Sequence, residues 1–204
     1  MLRSCVARGW RDDNPARDFD RGIIRERRDP IRPPTDDEIA AFRKEGPAGI
    51  VKIARFLLLT GMRQEEAVGL EWGSVDLKAA EVLLLHTKTN RPRVVPLVPK
   101  AVRLLSRLPR HLTSQYVFFH DDGLRYKNYA SRFALIAKRA GVKFRCHDLR
   151  HRFAIDYLRR HGRNALPRLS EILGHSSVRT TEIYVAYVGT ESAQIRAHES
   201  EGAK

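Results

Sequence analysis

The sequence contains little cysteine and no long hydrophobic run. Its two cysteines, Cys5 and Cys146, are far apart in the chain, which is not the spacing of a disulfide framework or of a close-spaced metal motif. No apolar stretch approaches the ~18 residues that a membrane-spanning helix needs. The arginine-containing N-terminal residues also lack the apolar core of a signal peptide. We therefore expect a cytoplasmic globular protein with neither a metal site nor a membrane partner.

Acidic residues are scarce relative to basic ones. Lysine and arginine number 38 against 24 acids, which gives a net charge of +14. No acid lies between Glu81 and Asp121, whereas seven basic residues do: Lys88, Arg91, Arg93, Lys100, Arg103, Arg107 and Arg110. A solvated basic face could account for that segment alone, but an excess of this size over the whole chain indicates a polyanionic partner, most often nucleic acid.

Helix signals outnumber strand signals. The capping box Thr35–Glu38 predicts a helix that runs to about Lys44, and the nearly apolar stretch Gly49–Thr60 predicts a buried central helix. Strands over Glu81–His86 and Arg93–Leu97 form a predicted hairpin. Further helices are predicted over residues 63–70, 100–108, 126–140, 147–160, 166–173 and 177–188. The expected fold class is α+β, mainly α-helical, with a small antiparallel β-hairpin or sheet.

Two arginines have the surroundings that phosphodiester chemistry needs. Attack on a phosphodiester builds negative charge, which fixed cations must meet when no carboxylate cluster is present to hold metals. A guanidinium stays charged and can bind two phosphate oxygens. Arg150 shares a helix face with His147 and His151, and Arg63 has Glu66 one turn later to hold it. A solvated basic helix face and an ordinary helix ion pair are the alternatives for these two groups taken singly.

Three further residues complete a metal-free cleavage site. Lys88, in a hairpin turn, can donate a proton to a leaving alkoxide, although most turn lysines are merely exposed. Tyr184 would be the nucleophile, and a phenol with a pKa of about 10 needs nearby cations or a base. His147 is the best-placed base and His175 a donor to phosphate. Alone, Tyr184 would be interpreted as a core residue of an amphipathic helix.

These residues lie in four boxes that together resemble the catalytic domain of a tyrosine recombinase of the phage-integrase type. Thr60–Glu66 matches T-G-x-R-x-x-E, and His147–His151 matches H-x-x-R-H. The segment from Thr87 to Leu97 resembles the lysine-bearing β-hairpin, and Leu173–His175 is followed by Tyr184 nine residues after the histidine. The resemblance covers residues 35 to about 188 and implies the catalytic-domain fold of that family.

The resemblance also implies a mechanism. Tyr184 would cut one DNA strand to leave a 3′-phosphotyrosine and a 5′-hydroxyl, with His147 assisting it and Lys88 protonating the leaving oxygen. Arg63, Arg150 and His175 would stabilise the transition state, supported by Glu66 and His151. The covalent intermediate conserves bond energy, so no ATP, metal or other cofactor is implied. We expect DNA contacts from Arg91, Arg93, Lys127, Arg132 and Arg179.

The expected domain organisation is a linker with a remnant of a core-binding helix over residues 1–34, the catalytic domain over 35–188 and a C-terminal tail over 189–204. Family members carry a core-binding domain before the catalytic one, and here only its last helix is recognisable. We therefore expect weak, poorly selective binding to double-stranded DNA. A homotetramer on DNA with weak self-association off DNA, a full-length recombinase partner, and association with the nucleoid in a prokaryotic host are also expected.

Two other functions are compatible with the same residues. A type IB topoisomerase shares the chemistry but reseals the same strand, and a truncated integrase remnant could bind DNA without cleaving it. The spacing from the Leu-Gly-His box to Tyr184 favours a recombinase, and the intact catalytic set argues against long decay. The target sequence and the outcome of recombination are left open by the sequence.

Overall fold

The structure is a computed structural model that describes the backbone of residues 2–14, 31–85 and 92–201. The chain divides into two units at Pro30. The described part of the first unit contains helix α1 (Leu2–Ala7). The second unit contains α2 (Asp36–Glu45), α3 (Ala48–Thr60), α4 (Gln64–Val68), β1 (Val75–Asp76), β2 (Glu81–Leu84), β3 (Arg93–Pro96), α5 (Pro99–Ser106), α6 (Tyr129–Arg139), α7 (Cys146–His161), α8 (Leu166–Leu173) and α9 (Arg179–Glu201). The mainly helical fold class with a small antiparallel sheet is confirmed.

Helix α3 forms the centre of the second unit, as its apolar sequence predicts. Ile53 and Phe56 are fully buried, and the helix packs against α5 and α7. It ends at Gly61, whose φ of +64° lies in the left-handed region that favours glycine. A side chain at Gly61 would also collide with the ring of Phe153, 2.3 Å from the position of its Cβ. The left-handed backbone and the close contact with Phe153 therefore both favour glycine at the end of α3, immediately before the candidate site.

The sheet has the strand order β1-β2-β3, and its strands are antiparallel. The predicted β2–β3 hairpin is confirmed, with Glu81 opposite Pro96 and Leu84 opposite Arg93. Side chains alternate between the faces, so Val95 is buried while Val94 is exposed. Strand β1 was not predicted, because two residues are too few to carry an alternating pattern.

Helix α6 packs against both α2 and α3. The predicted capping box is present, because Thr35 Oγ1 accepts from the N–H of Glu38 and the Glu38 carboxylate accepts from the N–H of Thr35. Phe42 on α2 stacks on Phe133 of α6 with 4.3 Å between ring centroids, and Phe144 meets the same ring edge-on at 5.5 Å. This aromatic cluster joins α2, α6 and the segment before α7.

Helix α9 is longer than the sequence indicated. It was predicted to end at Val188, but it continues to Glu201 without a break. Glu191, beyond the predicted end, forms an ion pair with Arg159 on α7 at 2.5 Å, which ties the extended helix to α7. Over the described residues, no helix is long and apolar enough to cross a membrane.

The aromatic cluster provides a test of this core. Phe133→Ala should lower the free energy of unfolding by about 3–5 kcal/mol, because it leaves a cavity among packed rings. Leu135→Ala on the same helix is the matched control, because Leu135 is 59% exposed and its loss should change stability by less than about 0.5 kcal/mol. Urea unfolding of both variants measures the difference. Equal losses of unfolding free energy in the two variants would contradict a placement of α6 that buries Phe133 and exposes Leu135.

Candidate active site

The C-terminal end of α8 holds three arginines. The last carbonyl groups of a helix have no N–H partner within it and lie at the negative end of its dipole. Three consecutive carbonyl oxygens each accept a hydrogen bond from a different guanidinium: Arg93 Nε on Ile172 (3.0 Å), Arg150 Nη2 on Leu173 (2.6 Å) and Arg63 Nη2 on Gly174 (2.8 Å). The three arginines come from β3, α7 and the N-terminal cap of α4, so this one helix end collects them.

Arg150 is a buried cation that makes no ion pair within the described residues. Its side chain also donates from Nη1 to the carbonyl of Gly61 at 2.7 Å, and the residue is 3% exposed. Burial lowers the pKa of Arg150 to about 10, and the charge of Arg63 acts in the same direction. The group is still charged near neutral pH. A buried charge without a counter-ion is costly, so this position favours an anionic ligand.

Glu66 is the carboxylate that binds two of the arginines. The predicted contact with Arg63 is present, from Nη1 to Oε1 at 3.1 Å and from the backbone N–H to Oε2 at 2.8 Å. Arg93 binds the same carboxylate through both Nη atoms, at 2.9 and 2.5 Å. Burial alone would raise the pKa of Glu66, but the hydrogen bonds and charges of Arg93 and Arg63 bring it below its ordinary value. The carboxylate therefore stays ionised.

Tyr184 is buried against α7. It is 2% exposed, and its hydroxyl lies 2.9 Å from Nδ1 of His151. The sequence paired Tyr184 with His147, but His147 lies one turn earlier on α7, where its ring meets that of His151 edge-on at 4.7 Å between centroids. Burial raises the pKa of Tyr184, and the charge of Arg150 only partly opposes this. In the free protein the phenol is therefore protonated and shielded.

The histidines of the site are poor proton acceptors in this state. Nδ1 of His175, in the turn after α8, lies 2.8 Å from Oγ1 of Thr181. Burial lowers the pKa of His175 to about 4, and the charges of Arg150 and Arg63 act in the same direction. Burial and the neighbouring His147 lower the pKa of His151 to about 4. Desolvation and Arg150 also lower the pKa of His147.

The expected DNA-contact residues fall into three groups. Lys127, Arg132 and Arg179 are exposed. Lys88 and Arg91 lie outside the described residues. Arg93 is not at the surface. Its side chain is 8% exposed, and its guanidinium is paired with the carboxylate of Glu66. The alternation of β3 could have indicated this, since Arg93 and the buried Val95 share one face of the strand.

Metal-ligating side chains do not cluster in the described part of the chain. No three His, Cys, Asp or Glu residues there are close enough together to hold a metal ion. What the described site does bring together is three guanidinium groups, one bonded carboxylate, three histidines and a tyrosine. Fixed cations, one of which acts on a potential nucleophile, are suited to a reaction in which negative charge develops on a bound anion.

Known proteins are similar to this chain in sequence and in fold. The sequence model described as "Phage integrase family" matches residues 37–189. Among curated relatives, the tyrosine recombinase XerA of Saccharolobus solfataricus is 30% identical over 136 residues, which cover 67% of this chain and 45% of the relative. The tyrosine recombinase XerD of Mycobacterium leprae is 32% identical over 190 residues, which cover 76% of this chain and 59% of the relative. The chain spans about half the length of the curated relatives that it matches.

Solved structures show the same architecture. A XerA recombinase crystal structure superposes with a TM-score of 0.64 at 27% identity and covers 78% of this chain and 60% of its own. A lambda integrase dimer bound to a COC′ core site gives a TM-score of 0.68 at 17% identity, with 89% and 68% coverage. At that identity the second match shows the fold alone. The fold is that of tyrosine recombinase catalytic domains.

The lowered histidine pKa values predict a pH-dependent stability. The pKa of His151 and His175 is about 4 in the folded protein and 6.5 ordinarily, so the unfolded chain binds more protons between these two pH values. The free energy of unfolding should therefore fall as the pH falls through this window. His151→Gln keeps a hydrogen-bonding side chain that cannot be protonated, and should show a smaller fall in urea unfolding. His161→Gln, which removes an exposed histidine, is the control; equal pH dependence in the two variants would contradict the assignment.

Proposed function

The chain belongs to the phage integrase family, and we propose that it is a site-specific recombinase that cleaves and rejoins DNA through Tyr184. The observation that carries this proposal is the convergence of Arg63 and Arg150 on the turn after α8, with Tyr184 on the helix that follows the turn. The global basic excess supports double-stranded DNA as the substrate. His175 in the same turn supplies a further hydrogen-bond donor.

The cations are arranged before DNA binds. Arg150 is held by two backbone carbonyls, and Arg63 by Glu66 and the carbonyl of Gly174, so neither needs to reorganise when charge builds on the phosphate. Preorganised donors in a site that excludes water are the largest single contribution in many enzymes. A scissile phosphate would also neutralise the buried charge of Arg150, so binding and catalysis use the same group.

The nucleophile is not ready in the free protein. We assign the proton of His151 to Nε2, so that Nδ1 accepts the phenol proton of Tyr184. Transfer of that proton is strongly unfavourable while the pKa of Tyr184 is raised and that of His151 is about 4. A bound phosphate brings negative charge that raises the histidine pKa values. Tyr184 must also leave its buried position to reach the phosphorus, so DNA binding has to move the start of α9.

The covalent step exchanges one phosphate ester for another. The phenolate oxygen of Tyr184 bonds to phosphorus while the bond from phosphorus to the 5′ oxygen breaks, which leaves a 3′-phosphotyrosine and a 5′ oxygen that takes up a proton. Lys88 is the proposed donor of that proton. A 5′-hydroxyl from a partner strand then attacks the phosphotyrosine and releases Tyr184. No external energy source is needed, because each step forms one phosphate ester bond while it breaks another.

The proposed organisation is a linker with a remnant of the last core-binding helix over residues 1–34, the catalytic domain over 35–188 and a C-terminal tail over 189–204, whose described residues continue α9 to Glu201. Exposed Lys127, Arg132 and Arg179 are proposed DNA contacts, with Arg91. Recombination between two sites requires four active tyrosines, so a homotetramer on DNA is proposed, and a full-length recombinase partner could complete it. A protein with this role would act where the DNA is, in the cytoplasm and at the nucleoid of a prokaryotic host.

One observation favours a second function. Burial of Tyr184 against His151 would also suit a DNA-binding protein that no longer cleaves. The two functions differ in whether a covalent protein–DNA bond ever forms. A topoisomerase-like reaction differs from both, because it relaxes supercoiled plasmid without ATP or added metal.

Covalent trapping on nicked duplexes with randomised sequence tests the proposed cleavage. The short 5′-hydroxyl fragment diffuses away, so the wild type should accumulate a denaturant-stable adduct. Tyr184→Phe should abolish the adduct and leave DNA affinity unchanged, because the lost hydroxyl carries no charge and DNA affinity depends mainly on the basic side chains. Tyr187→Phe on the same helix is the matched control and should form the adduct at the wild-type rate.

The trapping experiment separates cleavage through Tyr184 from DNA binding alone, and plasmid relaxation then separates a recombinase from a topoisomerase-like enzyme. An adduct in the wild type and Tyr187→Phe, but not in Tyr184→Phe, supports cleavage through Tyr184. An adduct that survives Tyr184→Phe would exclude Tyr184 as the nucleophile. DNA binding without any adduct would favour the non-catalytic protein.

A further inference from the structure

Arg93 is a buried arginine for which the proposed cleavage reaction has no role. Nε donates to the carbonyl of Ile172 at 3.0 Å, and Nη1 and Nη2 donate to the two oxygens of Glu66 at 2.9 and 2.5 Å. The side chain is 8% exposed. Arg93 thus differs from Arg150, because its charge is already paired with a buried carboxylate, whereas Arg150 has only carbonyl partners and no ion pair among the described residues.

The first group that Arg93 positions is Arg63. Glu66 Oε1 accepts from both Arg93 Nη1 and Arg63 Nη1, and Oε2 accepts from Arg93 Nη2 and the backbone N–H of Arg63. The carboxylate that holds Arg63 is therefore itself held in two places by Arg93. A bidentate guanidinium–carboxylate pair fixes the plane of the carboxylate, which a single hydrogen bond does not.

The second group is the turn that carries His175. The aliphatic part of Arg93 passes so close to Gly174 that a Cβ there would lie 2.8 Å from Arg93 Cδ. The carbonyl of Ile172, two residues before Gly174, accepts from Arg93 Nε. Because the carbonyl of Gly174 in turn binds Arg63, Arg93 contacts the turn on one side and the Glu66–Arg63 pair on the other.

The third connection is to the hairpin. Arg93 is the first residue of β3 and lies opposite Leu84, the last residue of β2. Lys88 lies between these two positions in the sequence. Arg93 therefore also belongs to the pair of described strand ends between which Lys88 lies in the sequence.

We propose that Arg93 is a positioning residue of this site. It holds Arg63 through Glu66 and holds the Gly174–His175 turn directly, in the arrangement that stabilises charge on the reacting phosphate, and it does not contact DNA. The inference rests on the proposed cleavage function for its kinetic consequences. Loss of Arg93 should slow the chemical step and leave DNA affinity unchanged, because the groups that bind phosphate remain but are less well placed.

The test uses two substitutions of Arg93 and one matched control. Arg93→Met removes the charge and the donors but keeps the stem, and Arg93→Lys keeps the charge but loses the planar fork. Arg125→Met is the control, because Arg125 pairs with the neighbouring acid of the same helix, Glu65, at 3.1 Å on the surface. Single-turnover adduct formation on nicked duplexes, and DNA affinity as a function of salt, are measured for each protein.

A methylphosphonate at the cleavage position separates positioning from general damage. It replaces one charged oxygen by a methyl group, so less negative charge develops and precisely fixed arginines matter less. Arg93→Met should slow adduct formation on the phosphate substrate about 10- to 100-fold, and on the methylphosphonate by less than about 5-fold. Arg93→Lys should lie between Arg93→Met and the wild type, and Arg125→Met should match the wild type.

Several results would overturn the proposal. Wild-type rates in Arg93→Met would show that Arg93 positions nothing that the reaction uses. Equal slowing on both substrates would indicate a general loss of structure. Weaker binding with a salt slope reduced by about one would make Arg93 a DNA contact, as the sequence suggested.

A second measurement tests Arg93 even if the wild type forms no adduct. The amides of Gly174 and His175 donate to carbonyls of α8, at 2.9 Å to Glu171 and 3.1 Å to Ser170. Their hydrogen exchange should accelerate in Arg93→Met relative to Arg125→Met, while that of Ile39 in α2 should not change. Unchanged exchange at the turn would overturn the proposal. If Arg93→Met does not fold, Arg93→Lys undergoes the same comparison.

Discussion

The site depends on the unpaired carbonyl groups at the end of α8. A helix of any sequence ends with carbonyl oxygens that need donors, and here three consecutive ones are filled by Arg93, Arg150 and Arg63. These arginines come from distant parts of the chain, and like charges would separate if they were not held. The helix dipole and the carboxylate of Glu66 offset their repulsion and part of the cost of removing them from water. The other features of the site follow from this arrangement.

The positions of the three arginines bear on two properties of the free protein: its affinity for an anion, and the protonation states of the histidines and of Tyr184. The described site holds three guanidinium groups but only one carboxylate, Glu66, which binds two of them, so the site has a local excess of positive charge that suits a phosphodiester. The same charges, together with burial, keep His151 and His175 neutral, whereas burial keeps Tyr184 protonated against the opposing charge of Arg150. The arginines are already held at the end of α8, whereas Tyr184 is buried away from the phosphate position. In the proposed reaction, DNA binding is therefore needed to move Tyr184.

Short-range patterns could be predicted from the sequence, and long-range contacts could not. The capping box at Thr35, the β2–β3 hairpin and the pairing of Arg63 with Glu66 are all local, and all are present. Arg93 was interpreted as a DNA contact because it lies in a basic segment; its partners Glu66 and Ile172 are 27 and 79 positions away. The spacing of His147 and His151 places both on one side of α7 but does not say which one meets α9. That depends on how the two helices pack.

A structure of Tyr184→Phe bound to duplex DNA that contains the scissile phosphate would test the central claim most directly. We expect the phosphate to lie within hydrogen-bonding distance of Arg63 and Arg150, the bonds from the three arginines to the α8 carbonyls to be retained, and residue 184 to be withdrawn from His151. Phosphate bound elsewhere, or arginines released from the α8 carbonyls to reach it, would contradict the claim that the end of α8 preorganises this site.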